Sequence, residues 1–234
     1  MAGRTAIKTG LGAGAAFHAQ VTRASVDIAV RAQHLAVFGA LHPSPEDKAP
    51  EGIQTIVMLG PEEPGFWAHF TDSPEYKDGA ADPMNRWSTR VISALAQDLG
   101  ATPLFPFGGP PWQPFIRWAQ STGRSHLSPV GLLVHDHAGL MVSYRGALGF
   151  AERFDIPHPP PNPCQTCTDQ PCRTACPVGA FGSAQYDVPA CKADLDRPGN
   201  DCLSRGCAVR RICPVSQTYG RLEAQSAFHM EAFK

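Results

Sequence analysis

The chain has 234 residues, of which 43% are apolar, with a formal net charge of −1 and a pI of about 6.7. This is enough apolar material for one large domain or two modest ones with real cores, which excludes a disordered chain. The near-neutral balance gives no global attraction to nucleic acid or anionic membrane, and no apolar run approaches the ~20 residues of a membrane span.

Residues 1–22 place Arg4 and Lys8 ahead of a glycine-rich apolar stretch, Leu11 to Phe17, that runs into His18. Glycine spoils the apolar segment of a signal peptide, so a flexible leader and a cytoplasmic location are expected. Thr22 to Gln33 has helical apolar spacing (Val26, Ala29, Val30), with Thr22 or Ser25 as N-cap. Leu35 to Gly39 and Ile53 to Leu59 read as buried strands, joined by a Pro/Asp/Glu loop over His42 to Glu51. Pro61 to Pro83 reads as a long aromatic loop whose acids (Glu62, Glu63, Asp72, Glu75, Asp78, Asp82) form a solvated surface. A helix is expected over Asn85 to Asp98, with Trp87, Val91 and Leu95 on its apolar stripe and Gly100 just past its end. Thr102 to Phe105 is a short strand, Phe107 to Pro111 a rigid loop, and Trp112 to Thr122 a helix that stops at Gly123. Val130 to Val134 and Leu140 to Tyr144 predict a hairpin, with His135-Asp136-His137-Ala138-Gly139 as a solvated turn, the alternative being a metal site at His135 and His137. Five prolines between Pro157 and Pro163 make a stiff linker, where the domain boundary is expected.

All eight cysteines follow that linker. Disulfides that staple a secreted domain are spread through it, whereas a dense cysteine block behind a cysteine-free scaffold points to metal in a reducing compartment. The spacing is Cys164-x2-Cys167-x4-Cys172-x3-Cys176-Pro177, then Cys191, then Cys202-x4-Cys207-x5-Cys213-Pro214. Cluster iron is soft and takes thiolate, four to a cubane, so eight thiolates make two 4Fe-4S clusters with none left over. The proline after each terminal cysteine is expected to stop its strand or helix from running into the cluster. The alternative is a pair of four-cysteine zinc sites. Zinc favours paired Cys-x2-Cys knuckles, and only Cys164 and Cys167 form one.

The stretch from Gly131 to Phe181 runs apolar strand, glycine turn, apolar strand, linker, Cys-x2-Cys, Cys-x3-Cys-Pro-x-Gly-Ala. With the lone Cys191 between the two runs, it resembles epoxyqueuosine reductase and its relatives, the corrinoid iron–sulfur reductive dehalogenases. The resemblance covers roughly the last hundred residues. It implies that Cys164, Cys167, Cys172 and Cys213 hold one cluster and Cys176, Cys191, Cys202 and Cys207 the other. It further implies an α+β chain: a nitroreductase-like α/β domain over residues 23–156, the linker over 157–163, and a two-cluster ferredoxin-like domain over 164–234. In that family the first domain binds cobalamin, so Gly108, Gly109 and Trp112 become candidates for contact with a corrinoid, or alternatively a flavin. Two glycines let a flat ligand approach the backbone, while aromatics at helical spacing are also ordinary core.

The chain departs from the family in three ways. Cys167 to Cys172, Cys202 to Cys207 and Cys207 to Cys213 are each two residues longer, Gly109 stands where epoxyqueuosine reductase carries a catalytic Asp, and few residues follow Cys213 to grip tRNA. Reduction of epoxyqueuosine is therefore not expected, because a leaving epoxide oxygen needs a proton that glycine cannot supply. Arg205, Arg210 and Arg211 are expected either to offset thiolate charge or to dock an acidic redox partner, or else to be plain surface. The leading expectation is an oxidoreductase or redox subunit that passes single electrons to a cofactor or small substrate in the first domain. The rivals are a non-catalytic electron carrier and a cobalamin-binding or sensory protein with structural clusters.

Overall fold

A computed structural model describes residues 21–182 and 185–234. The leader expected over residues 1–22 lies outside the described residues, except for Val21 and Thr22. The chain is a mixture of helices and antiparallel sheet, an α+β arrangement.

Helix α1 (Arg23–Arg31) starts where the sequence places it. Thr22 and Ser25 form a reciprocal capping box, and Val26 and Val30 are buried one turn apart. Strands β1 (Leu35–Leu41) and β2 (Thr55–Pro61) pair antiparallel, with a register shift between Val37 and Gly39. The segment after β2 departs from expectation. Instead of a loop it forms α2 (Gly65–Thr71) and α3 (Pro74–Lys77), because Phe66 and Phe70, one turn apart, are fully buried against Trp87. Glu75, expected in solvent, is buried against Arg90. Helix α4 (Pro83–Asp98) then carries Trp87, Val91 and Ile92 into the core.

Strand β3 (Thr102–Leu104) leads to α5 (Phe115–Ser121), which begins three residues later than predicted. Pro110, Pro111 and Pro114 deny that stretch the amide hydrogens and backbone angles of a helix. The predicted hairpin does not form. Its first arm becomes β5 (Leu133–His135), which pairs with β4 (Ser125–Leu127), while residues 140–144 join no strand. Strand β6 (Gly146–Phe150) enters the main sheet instead, which has the order β1-β2-β6-β3 with every pair antiparallel.

Strands β2 and β6 are buried throughout, and their alternation divides two cores. Val57, Leu59, Leu148 and Phe150 face the layer of α1 and α4, while Ile56, Met58 and Ala147 face Phe115 and Trp118 of α5. Each large apolar side chain fully withdrawn from water contributes about 1.5–3 kcal/mol relative to exposure, so this sheet is the stable frame of the molecule.

Beyond the proline run the elements shorten: 3₁₀ turns at Pro163–Gln165 and Pro171–Arg173, the two-turn α6 (Val188–Leu195), and the short helices α7 (Cys202–Arg205), α8 (Ala208–Arg211) and α9 (Pro214–Thr218). A last helix, α10 (Glu223–Phe233), returns to the sheet layer, where Phe228 packs on Trp67, Phe70 and Tyr76. Among the described residues no helix is long and apolar enough to cross a membrane.

Candidate functional site

The cysteine segment is docked on the scaffold through the stretch that failed to become a hairpin. The Leu140 amide donates to Ser216 Oγ at 2.9 Å, Arg210 reaches the Leu140 carbonyl, and Arg221 donates to the Met141 carbonyl at 3.0 Å. Gly139 sits at φ +57°, and a Cβ there would come within 2.5 Å of the Ser216 amide, so both the backbone angle and the contact require glycine.

All eight cysteines are free thiols. Cys164, Cys167, Cys172 and Cys213 line one cavity of about 460 Å³, walled by Val134, Leu140 and Val215. Asn162 fixes the first of them, its side-chain oxygen accepting from the Cys164 amide at 3.0 Å. Cys213 is the N-cap residue of α9, with Pro214 inside the first turn. That proline opens a helix instead of ending one, a position its fixed φ favours. Cys176, Cys191, Cys202 and Cys207 line a second, tighter cavity of about 20 Å³ with Leu195, Val209 and Met230. Cys191 comes from α6, Cys202 opens α7 under an Asn200 side-chain cap at 2.8 Å, and Cys207 is the N-cap residue of α8.

The electrostatics divide along the same line. Burial pushes the Cys164 thiol up, and Cys172, Cys213 and Cys167 push it further. Cys172 is raised by burial, then by Cys213 and Cys167. In the second set, burial raises Cys191 against a hydrogen bond from Tyr186, with Cys176 and Cys202 adding to the rise. Burial also raises Cys202 against the Ala208 amide, with Cys207 adding. The Ala180 amide donates to Cys176 Sγ at 3.3 Å. Four thiolates in one apolar pocket destabilise one another unless a cation sits among them, and amides aimed at sulfur are how a protein tunes cluster thiolates.

Among the described residues no three His, Cys, Asp or Glu side chains converge as the ligands of a single metal ion. The thiols are distributed over cavity walls instead. Four thiols in each set are the donor complement of one 4Fe-4S cubane. The first cavity has room for one, whereas about 20 Å³ in the second is close to the volume of a single water, so its loops have to spread to admit a cubane.

The other candidates fall apart from these cavities. Gly108, at φ +81°, has open space where a Cβ would be, but a Cβ on Gly109 would meet the Trp112 ring at 2.8 Å and the Pro111 backbone at 3.0 Å. Trp112 is 66% exposed and already lies over Gly109. His135, expected in a solvated turn, is fully buried under the sheet edge, with Nε2 at 2.9 Å from the Phe38 carbonyl. The short β4–β5 pairing and the inward register of β5 draw it in. Of the three arginines singled out in the second run, Arg205 pairs with Glu223 and Asp201, and Arg211 with Asp201, while Arg210 turns inward. Sequence reading missed Arg221 and His229, which join Arg210 around a further cavity. The available signal was a run of polar residues, Gln225, Ser226 and His229, within one turn of α10, two of them buried.

No family model, no curated protein and no solved structure matches this chain.

Proposed function

We propose that this chain is an iron–sulfur electron-transfer protein that holds two 4Fe-4S clusters, one in each cysteine cavity. The observation that carries the reading is the division of eight free thiols, four and four, between two cavities, with Cys213 joining the first set from the far end of the segment and Cys176 joining the second from the first cysteine run. Cys164, Cys167, Cys172 and Cys213 are the ligands assigned to the first, and Cys176, Cys191, Cys202 and Cys207 to the second. A bound 4Fe-4S cluster supplies one-electron transfer. The chain supplies thiolates, the Ala180 and Ala208 amides and the Tyr186 hydroxyl at sulfur, and the apolar side chains of Val134, Leu140 and Val215 along the first site. The partners of this reading are a redox protein that gives or takes the electron and a small molecule that meets it at the other end. A corrinoid or flavin at Gly108, Gly109 and Trp112, in a nitroreductase-like scaffold, rests on the family resemblance alone. A flat ligand there would have to displace the Trp112 indole from Gly109.

Anaerobically prepared protein is expected to carry about eight irons and about eight sulfides per chain, two cubanes of four, and to give a reduced-cluster paramagnetic signal. Stoichiometric zinc without sulfide would overturn the reading.

A further inference from the structure

Between α10 and the second cysteine set lies a further cavity of about 230 Å³. Arg210, Arg221 and His229 line it together with Met141, Phe181 and Tyr186, and Cys191 and Cys207 reach its wall. The two guanidinium groups are each anchored by one arm. Arg210 bonds the Leu140 carbonyl and Arg221 the next carbonyl, that of Met141. Anchoring on consecutive carbonyls fixes both forks while leaving donors unused, and Arg221 Nε is buried with no hydrogen-bond partner.

Charge here is out of balance. Among the described residues neither arginine forms an ion pair, and Arg145, buried nearby, bonds only the neutral Ser88 and Asn85. Burial pushes both the Arg221 and the Arg145 guanidinium down to about 10, against the pull of Glu63 on the first and of Asp82 on the second. Burial, then Arg221, Arg145 and Arg210, hold His229 down to about 3, so the imidazole is neutral and all three guanidiniums act on one place. Glu63, the carboxyl acting on Arg221, is itself raised by burial, which weakens it as a counter-charge. Desolvated cations without partners are costly, and an anion entering between them relieves that cost.

We propose that this cavity binds a small organic carboxylate, held by the forks of Arg210 and Arg221 with its hydrocarbon body against Met141, Phe181 and Tyr186. Guanidinium forks match carboxylate and phosphate oxygens in bidentate geometry. The apolar walls choose the carboxylate with a hydrocarbon body over inorganic phosphate. About 230 Å³ is below the ~300–1,000 Å³ of drug-sized ligand pockets, so the ligand is a small one. As a neighbour of an iron–sulfur centre the site rests on the reading above; as an anion site it does not.

The test is calorimetric titration of the full chain, prepared anaerobically, with benzoate, benzyl alcohol and inorganic phosphate, alongside iron and sulfide counts. Benzoate is expected to bind saturably at one site, benzyl alcohol not at all and phosphate far more weakly. Arg221→Gln should weaken benzoate by about tenfold or more, the loss expected of a charged hydrogen bond. Arg221→Lys and Arg210→Lys, which keep charge and fold, should each give an intermediate loss. A folded protein that does not bind benzoate, equal affinity in the arginine variants, or phosphate binding as tight as benzoate would each overturn the proposal. Arginine-dependent benzoate binding by a protein that holds zinc without sulfide would sink the iron–sulfur reading and leave the carboxylate site standing. Full iron and sulfide without benzoate binding would do the reverse.

Discussion

The sheet scaffold and the cysteine segment are stabilised by different means. In the scaffold, β2 and β6 are buried along their whole length, and α4 brings Trp87, Val91, Ile92 and Leu95 to one face. In the segment, α7 and α8 are four residues each and α9 is five. Helices that short do not hold their own hydrogen bonds in water. The apolar cluster that the segment shares with Val134 and Leu140 counts Cys172 and Cys213 among its buried members. The scaffold can thus fold on apolar burial, while the segment depends on where it is docked and, on the iron–sulfur reading proposed above, on what its thiols would hold. Substitutions in the two regions should therefore fail differently.

The largest effect is expected from the scaffold. Trp87 is fully buried, in edge contact with both Phe66 and Phe70. Trp87→Ala should lower the global unfolding free energy by about 3–5 kcal/mol, seen as one shifted cooperative transition. A loss below about 1 kcal/mol would mean that the scaffold core is not the stable frame.

Next come the thiols, where the loss should be local. If Cys213 serves the same centre as Cys164, then Cys213→Ala and Cys164→Ala should remove the same spectroscopic cluster and leave the other. Loss of different clusters would refute the four-and-four assignment. Removing metal with a chelator should open residues 163–218 to protease while the tryptophan signal of the scaffold persists, because metal binding to such a segment is also its folding energy. Simultaneous loss of both would erase the distinction between the regions.

The same contrast decides what was legible in the sequence. The first helix, the first two strands and α4 were readable because apolar spacing and caps lie within the element itself. Helices α2 and α3 were not, since Pro64, Gly65, Ser73 and Pro74 look like loop punctuation until Trp87 is there for Phe66 and Phe70 to bury against. The hairpin over 130–144 failed for a non-local reason: the Leu140 amide is taken by Ser216, far along the chain. Cysteine spacing named the eight thiols, but their division into two sets came from the family resemblance. The carboxylate cavity was illegible, because Arg210, Arg221 and His229 converge only once α10 folds back across the second set.

A smaller, pH-dependent effect should arise where the two regions meet. His135 Nδ1 accepts from the His137 and Ala138 amides at 3.1 and 3.2 Å, which leaves the proton on Nε2 to donate to the Phe38 carbonyl. Burial, helped by Arg124 and His137, pushes the imidazole from 6.5 down to about 4, against the opposing pull of Asp136 and the Phe38 carbonyl. A proton arriving at Nδ1 would face two N–H groups as well as the Asp136 carboxylate at 3.1 Å, and burial outweighs that carboxylate. The unfolded chain therefore binds this proton first, so stability is full above pH 6.5 and falls as pH drops toward about 4. His135→Phe should be less stable at pH 7, by about 1–3 kcal/mol for the polar groups it leaves unpaired. It should also lose less on acidification through that window. Carboxylates such as Glu75 and Asp78, held below their ordinary values by Arg90 and Arg86, are common to both proteins and cancel in the difference. Parallel pH curves for the two proteins would refute the assignment.

The smallest effect should come from one hydroxyl at the docking seam. Tyr219 is 4% exposed, and its ring lies edge-on to Phe38 and His137. Its hydroxyl donates to the Pro61 carbonyl, at the end of β2, at 2.6 Å. Burial, and after it Glu63, raises the phenol above its ordinary value, so it remains a donor throughout the working pH range. Phenylalanine keeps the ring contacts and deletes only the donor. Tyr219→Phe should cost about 1 kcal/mol, because the carbonyl it abandons is buried. That cost should fall on docking and not on the sheet, since the bond joins the cysteine segment to a strand already held on both sides. Hydrogen exchange should accelerate in α9 and in residues 139–142, while the amides of β2 and β6 keep their protection. Equal acceleration in both places would mean that segment and sheet open together, as a single cooperative unit.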